Sequence, residues 1–169
     1  MLLLLAALEA CHPGPRAVQQ RAQKIQAEVR PVVARQLAAA ARAAEAATGV
    51  PRTLIMAVVE HESRYNPQAR RGPDQGPMQV RPITKKELQR LTGTRLNIQT
   101  LEGNIAAGAA LLAILKRRHR SWALALTAYN KGSAGLRADG YRVSRYAQRV
   151  LRRWAAVKKA YKHHRACRP

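Results

Sequence analysis

The chain has 169 residues, a length suited to one domain around one core. Its 47% apolar content is that of a globular protein; it holds no Phe and only 4% aromatic residues, so the core must be built from Leu, Ala, Val and Ile. No run approaches the ~20 apolar residues of a membrane-spanning helix, and 31 basic against 9 acidic residues leave a net charge of +22. That balance favours anionic partners, such as an anionic cell wall, acidic lipids or nucleic acid. A compositional origin in GC-rich coding explains the arginines equally well.

In chain order, Met1 to Cys11 carries the apolar run Leu2–Leu8. It resembles the hydrophobic part of an export signal but lacks a basic start, and Leu8-Glu9-Ala10-Cys11 loosely resembles a lipoprotein cleavage box. Arg16 to Thr48 is helical in character, with a break or kink expected at Pro31. Ala38 to Ala47 is strongly helix-forming, and Gly49 closes the segment.

Pro51 to Ser63 reads as the next helix. Ile55, Val58, Val59 and Glu62 follow the i, i+3, i+4, i+7 spacing of one face, so Glu62 leaves the helix with the core residues. Glu60 points about 200° away, at 100° per residue, and is expected in solvent. Burial raises the pKa of a carboxyl, and a carboxyl still protonated near neutral pH is what a general acid requires. The competing reading is a surface glutamate paired with Arg64.

Pro82 to Leu91 is a short helix closed by Gly93, Leu101 to His119 a longer one, and Ser121 caps Trp122 to Asn130. Val143 to His163 is the last long helix. Arg142, Arg145, Arg149, Arg152 and Arg153 recur at three- and four-residue spacing and are read as one charged face, with an anionic envelope surface as its expected partner. No segment alternates with period two, although Met78-Gln79-Val80 can form a small bridge. The expected fold is therefore all-α or nearly so.

Carboxylates are scarce from Thr48 to Arg153: Glu60, Glu62, Asp74, Glu87, Glu102 and Asp139. Glu87 sits on a polar helix beside Lys85 and Lys86, Glu102 lies in a first helical turn, and Asp139 precedes Gly140 in a turn. Asp74 is left as the candidate second acid. His61-Glu62-Ser63-Arg64-Tyr65 lacks the second His of a zinc-protease helix, so no metal and no cofactor are predicted. Cys11 and Cys167 could be joined in an exported protein; lipidation of Cys11 would instead leave Cys167 as a free thiol.

Four strings stand in a distinctive order: Glu62-Ser63-Arg64-Tyr65-Asn66-Pro67 with Gly76-Pro77-Met78-Gln79-Val80-Arg81-Pro82, then Asn104-Ile105-Ala106-Ala107-Gly108, Ala128-Tyr129-Asn130-Lys131-Gly132, and Tyr146-Ala147-Gln148-Arg149-Val150-Leu151. From Thr48 to Arg153 they resemble the catalytic domain of the soluble lytic transglycosylases, glycoside hydrolase family 23, which is lysozyme-like and cleaves peptidoglycan. Pro77 stands where the family usually has leucine, the loop from Pro67 to Gly76 is slightly short, and Leu111 or Leu112 takes the place of a tyrosine.

The resemblance implies a lysozyme-like helical domain over residues 48–155, preceded by a helical extension (15–47) and a candidate export segment (1–14) and followed by a basic tail (156–169). It implies that Glu62 acts as acid and then base on the β-1,4 bond between N-acetylmuramic acid and N-acetylglucosamine, releasing a 1,6-anhydro sugar. Tyr129 is expected to donate its phenol to Glu62, with Ser63, Met78, Gln79 and Asn130 binding substrate and Asn104 serving structure. The implied partners are peptidoglycan strands and a secretion, conjugation or phage assembly, and the implied setting is the periplasm or envelope, for a monomer. The alternatives left open are a hydrolytic lysozyme of the same fold and a non-catalytic basic module that binds wall, lipid or DNA.

Overall fold

The computed structural model describes residues 15–166. The candidate export segment, Cys11 and Cys167 lie outside the described residues. The chain divides into two compact units, Met1–Arg35 and Gln36–Pro169.

Helix α1 spans Pro15–Thr48 and includes Pro31, so the expected break does not terminate it. Helices α2 (Arg52–Ser63), α3 (Pro82–Thr92), α4 (Leu101–His119), α5 (Trp122–Ala138) and α6 (Arg145–Ala166) follow. Between α2 and α3, strands β1 (Arg70–Arg71) and β2 (Asp74–Gln75) form an antiparallel pair, with Gln75 also bridging to Val80. Two residues per strand are too few to write an alternating pattern, which is why only the bridge at Val80 was legible. Among the described residues no helix is long and apolar enough to cross a membrane.

The core of the second unit is aliphatic, as the absence of Phe requires. Leu37, Ala40, Ala41 and Ala44 contribute from α1, and Leu54, Ile55, Val58 and Val59 from α2. Ile105, Ala109 and Leu112 line the inner face of α4, and Leu115 meets Ala125, Ala128 and Leu136 of α5. Each aliphatic side chain of Val or Leu size taken fully from water contributes roughly 1.5–3 kcal/mol. The helix ends follow side-chain chemistry: Thr100 Oγ1 accepts from Gly103 N at 3.1 Å, and Ser121 Oγ from Leu124 N at 3.5 Å. Helix α5 runs past the expected stop at Asn130 to Ala138, with a backbone break at Gly132 (φ 75°, ψ 160°).

Helix α6 packs antiparallel on α2, since numbers rise along one as they fall along the other. Tyr146 meets Glu62, Arg153 pairs with Glu60, and Trp154 Nε1 donates to Thr53 Oγ1 at 2.9 Å. Arg153 therefore leaves the predicted charged face, while Arg145, Arg149 and Arg152 remain exposed. Glu60 is correspondingly held in an ion pair rather than free in solvent, correcting the sequence expectation.

One buried amide fastens the irregular part of the fold. The side chain of Asn104 is fully buried; its Oδ1 accepts from Met78 N at 2.9 Å, and its Nδ2 donates to Gln75 O at 2.7 Å and to Ile98 O at 3.1 Å. Close approach is possible because Gly76 (φ +72°) has no side chain: a Cβ there would sit 2.5 Å from the Asn104 amide. Likewise a Cβ on Gly108 would sit 2.5 Å from Met78 Sδ. Asn104→Ala would leave Met78 N and Ile98 O without partners, at ~1–3 kcal/mol each, and would take from Gln75 O one of its two bonds, the other being from Val80 N. We expect the variant to lose ~3 kcal/mol or more, and its thermal midpoint, followed by circular dichroism, to fall by about 10 °C. An unchanged midpoint would mean that the loop holds itself.

Candidate active site

Glu62 occupies the last turn of α2, on the face that buries Ile55, Val58 and Val59. It is half-buried and opens into a cleft of about 420 Å³. One wall is α3, through Ile83, Thr84, Glu87, Leu88 and Leu91; the other is α4, through Leu111, Ile114, Leu115 and Arg118. The β pair supplies Arg71 and Asp74, and α5 supplies Tyr129, Asn130, Lys131 and Ser133. Immediately after Glu62 and Ser63 the backbone turns through two left-handed residues, Arg64 (φ 51°) and Tyr65 (φ 66°), which carries the chain away from the helix axis.

The carboxyl of Glu62 has one hydrogen-bond partner among the described residues. Tyr146 Oη donates to Oε1 at 2.6 Å, a short charge-assisted bond. Burial raises the Glu62 pKa above the ordinary carboxylate value; the Tyr146 bond and the nearby Arg71 charge pull the other way, and Asp74 adds to the rise. The phenol of Tyr146 is itself pushed well up by burial and by the Glu62 charge, so it stays a donor. The His61 ring stands edge-on to it, with centroids 5.0 Å apart at 78°. Burial lowers the His61 pKa, as do the charges of Arg153, Arg149 and Arg71, so this imidazole is neutral at pH values where an ordinary histidine begins to charge.

Tyr129 was expected to hold Glu62, and in this respect the expectation is corrected. Its Oη donates instead to Met78 O at 2.8 Å. Tyr129 still stands close enough for the Glu62 charge to raise its pKa, after burial, which is the larger cause. Its bond secures the loop that forms the cleft edge. The residue that sequence reasoning left without a role is Tyr146. A buried phenol needs a partner for its hydroxyl, and Tyr146 precedes the buried Val150 by one helical turn, so its inward direction was legible. Its target was not.

The other predicted site residues separate into two groups. Gln79 and Asn130 line the cleft with Glu62 and Tyr129. Both amide hydrogens of Gln79 serve the loop, with Nε2 donating to Gly76 O at 2.8 Å and Ala69 O at 3.1 Å, which leaves its oxygen for a ligand. Ser63 and Met78 are not among the lining residues. Ser63 Oγ donates to Val59 O at 2.9 Å and finishes the helix. The Met78 side chain is fully buried against Gly108, so it is core and not the cleft floor; its backbone carbonyl is what the site uses. The candidate second acid, Asp74, is held by Arg81 Nε at 2.6 Å.

A family model described as the transglycosylase SLT domain matches residues 39–151. Two solved structures are similar to the chain. One is an inactive mutant of the lytic transglycosylase Slt from Pseudomonas aeruginosa, at TM-score 0.65 and 24% identity over 73% of this chain. The other is the 70 kDa soluble lytic transglycosylase of Escherichia coli, at TM-score 0.63 and 18% identity over 72%. The match spans 24% of each of those longer chains. At these identities the likeness is one of fold. No curated protein matches the chain.

Because the Glu62 pKa is raised, the folded state holds that proton more tightly than the unfolded chain does. Its contribution to stability is full in acid and is lost as pH rises through the folded pKa. Raising the pH therefore works against folding through this group. Glu62→Gln keeps an oxygen to accept from Tyr146 and removes the titration. Its thermal midpoint should exceed that of the unmutated protein at about pH 7, and the gap should close below about pH 4. A gap independent of pH would show that the gain has another origin.

Proposed function

The chain belongs to the transglycosylase SLT domain family, and from that premise we propose that it is a peptidoglycan lytic transglycosylase with Glu62 as its single acid and base. The observation that carries this reading is the state of Glu62: half-buried, raised in pKa, tied at one oxygen by Tyr146, and open to a cleft. The remaining carboxylates of the lining are Asp74, engaged by Arg81, and Glu87, exposed on α3. A mechanism with one carboxyl suits such a cleft better than a paired-carboxylate hydrolysis.

In the proposed reaction, protonated Glu62 gives its proton to the glycosidic oxygen between N-acetylmuramic acid and N-acetylglucosamine, and an oxocarbenium-like centre develops at the muramyl anomeric carbon. The muramyl 6-hydroxyl attacks that carbon, and Glu62, now a carboxylate, takes the hydroxyl proton. The bond to the leaving sugar breaks, a 1,6-anhydro ring forms, and water is neither consumed nor released. Holding the nucleophile on the substrate itself gives it a high effective concentration, which removes the need for a second carboxylate to activate water. The same reading places the protein at the cell envelope or on a particle that must breach it.

Digestion of purified peptidoglycan followed by mass spectrometry tests the reading directly. The muramyl ends should be lighter by one water than those a hydrolytic lysozyme releases. Glu62→Gln should lower cleavage by at least ~10²-fold with the fold intact. Ordinary reducing ends would make the protein a hydrolase; no cleavage by the unmutated protein would leave a binding module.

Tyr146→Phe separates the two tyrosines. It removes the bond that favours ionised Glu62, so activity should fall roughly tenfold or more and the alkaline limb of the pH–rate profile should move to higher pH. Tyr129→Phe should leave that limb nearly in place, because its hydroxyl serves the Met78 carbonyl. The opposite ranking would return the orienting role to Tyr129.

A further inference from the structure

We propose that His61 is a positioning residue for the acid: its neutral ring holds the Tyr146 phenol on Glu62, and its protonation releases that hold, so the protein has an acid limit that Glu62 does not set. The inference rests on the transglycosylase reading above and adds a second group to it.

His61 and Glu62 are neighbours on the last turn of α2, so their side chains leave the helix about 100° apart. The carboxyl opens into the cleft, whereas His61 does not line it. The imidazole turns to α6 and meets the Tyr146 ring, with centroids 5.0 Å apart and planes at 78°. That is the edge-to-face arrangement aromatic pairs favour. Tyr146 is buried and gives its hydroxyl to Glu62 Oε1 at 2.6 Å. The position of that hydroxyl follows the tilt of the phenol ring, and the ring that bears on it is His61.

His61 Nδ1 is buried and has no hydrogen-bond partner among the described residues. A bare ring nitrogen tolerates such a place as an unused acceptor. A protonated one does not, because a buried donor is then left without an acceptor. The charged groups around the ring agree with this. Arg153 and Arg149 face it from α6 and Arg71 from β1, and all three act with burial, the largest cause, to keep it neutral. Glu60 on α2 acts in the opposite direction, and it is held in an ion pair by Arg153. Once the ring does charge, it must turn to find an acceptor, and the contact with Tyr146 is lost.

The consequence is visible in the pH dependence. Glu62 has to begin the reaction protonated, so on the single-carboxyl scheme activity is lost only as pH rises. No step of that scheme fails in acid. An acid limb therefore reports a second group, and His61 is the one in contact with Tyr146.

The test is the pH dependence of kcat/KM for the full chain on soluble peptidoglycan oligosaccharides, with folding followed by circular dichroism at each pH. The unmutated protein should give a bell whose acid limb is centred below the ordinary histidine value of ~6.5. His61→Ala should lower kcat roughly tenfold, as Tyr146→Phe does, and the two changes together should cost no more than either alone. His61→Phe keeps an aromatic ring against Tyr146 and cannot charge. It should recover most of that loss and hold its activity flat into acid. A profile without an acid limb in the unmutated protein, a limb that persists in His61→Phe, or additive losses in the double variant would overturn the role. Carbon-13 NMR of the Glu62 carboxyl tests the same contact without turnover. Its titration midpoint should rise in His61→Ala, since the Tyr146 bond that favours the ionised form is loosened. An unchanged midpoint would overturn the positioning role whether or not any variant cleaves. A raised midpoint in a protein that cleaves nothing would support the contact and overturn the peptidoglycan reading alone.

Discussion

The buried amide of Asn104 is the constraint on which the cleft depends, because it is where the irregular segments of the chain are tied to a helix. The stretches on either side of α3 have little hydrophobic surface of their own with which to fold. One side chain on α4 supplies the acceptor for Met78 N and the donors for Gln75 O and Ile98 O. The first two of those bonds fix the loop that presents Asp74, Gln79 and the Met78 carbonyl, and the third ties down the connection between α3 and α4. Tyr129 then closes on that carbonyl from α5. The site is thus built from the inside outward: a satisfied polar group in the core holds backbone, and the backbone holds the edge of the cleft.

Glu62 is positioned by a different kind of contact, the docking of α6 on α2. Three side-chain pairs set the register of the two helices: Tyr146 with Glu62, Arg153 with Glu60, and Trp154 with Thr53. A shift of one turn along either helix would separate the phenol from the carboxyl by ~5 Å. The half-exposed ion pair contributes little energy of its own. Its value lies in agreeing with the other two contacts. The arrangement holds a carboxyl where burial resists its charge, a cost of the kind enzymes carry at reactive sites.

Much of this was legible in the sequence, and the limits have physical causes. The helical fold followed from 3.6-residue periodicity and cap residues, and Glu62 stood out because a carboxyl on an apolar stripe breaks the pattern. Ser121 and Gly93 mark helix ends through local chemistry, so they could be read locally. Tyr146 could not be assigned to Glu62, because the two are 84 positions apart and meet through helix docking, which periodicity does not encode. Glu60 faces away from the core face of its own helix, yet it finds Arg153 for the same reason. Met78 was misread because sequence displays side chains, whereas the site uses its carbonyl. The β pair was too short to show any period.

The bond from Tyr146 reaches only Oε1 of Glu62, and that asymmetry limits the order of events. Among the described residues Oε2 accepts no hydrogen bond, so it is the atom left to carry the proton. On the proposed mechanism it must release a proton to the leaving oxygen and then collect one from the 6-hydroxyl. Both transfers pass through a single point in space. The protein side of that point is held still by a phenol, so the sugar is the moving part. The leaving oxygen has to vacate the position before the hydroxyl can occupy it, and the ring must pucker to bring the second atom where the first had been. On that mechanism the protein's contribution to timing is a fixed gate of atomic width, and the choreography belongs to the substrate.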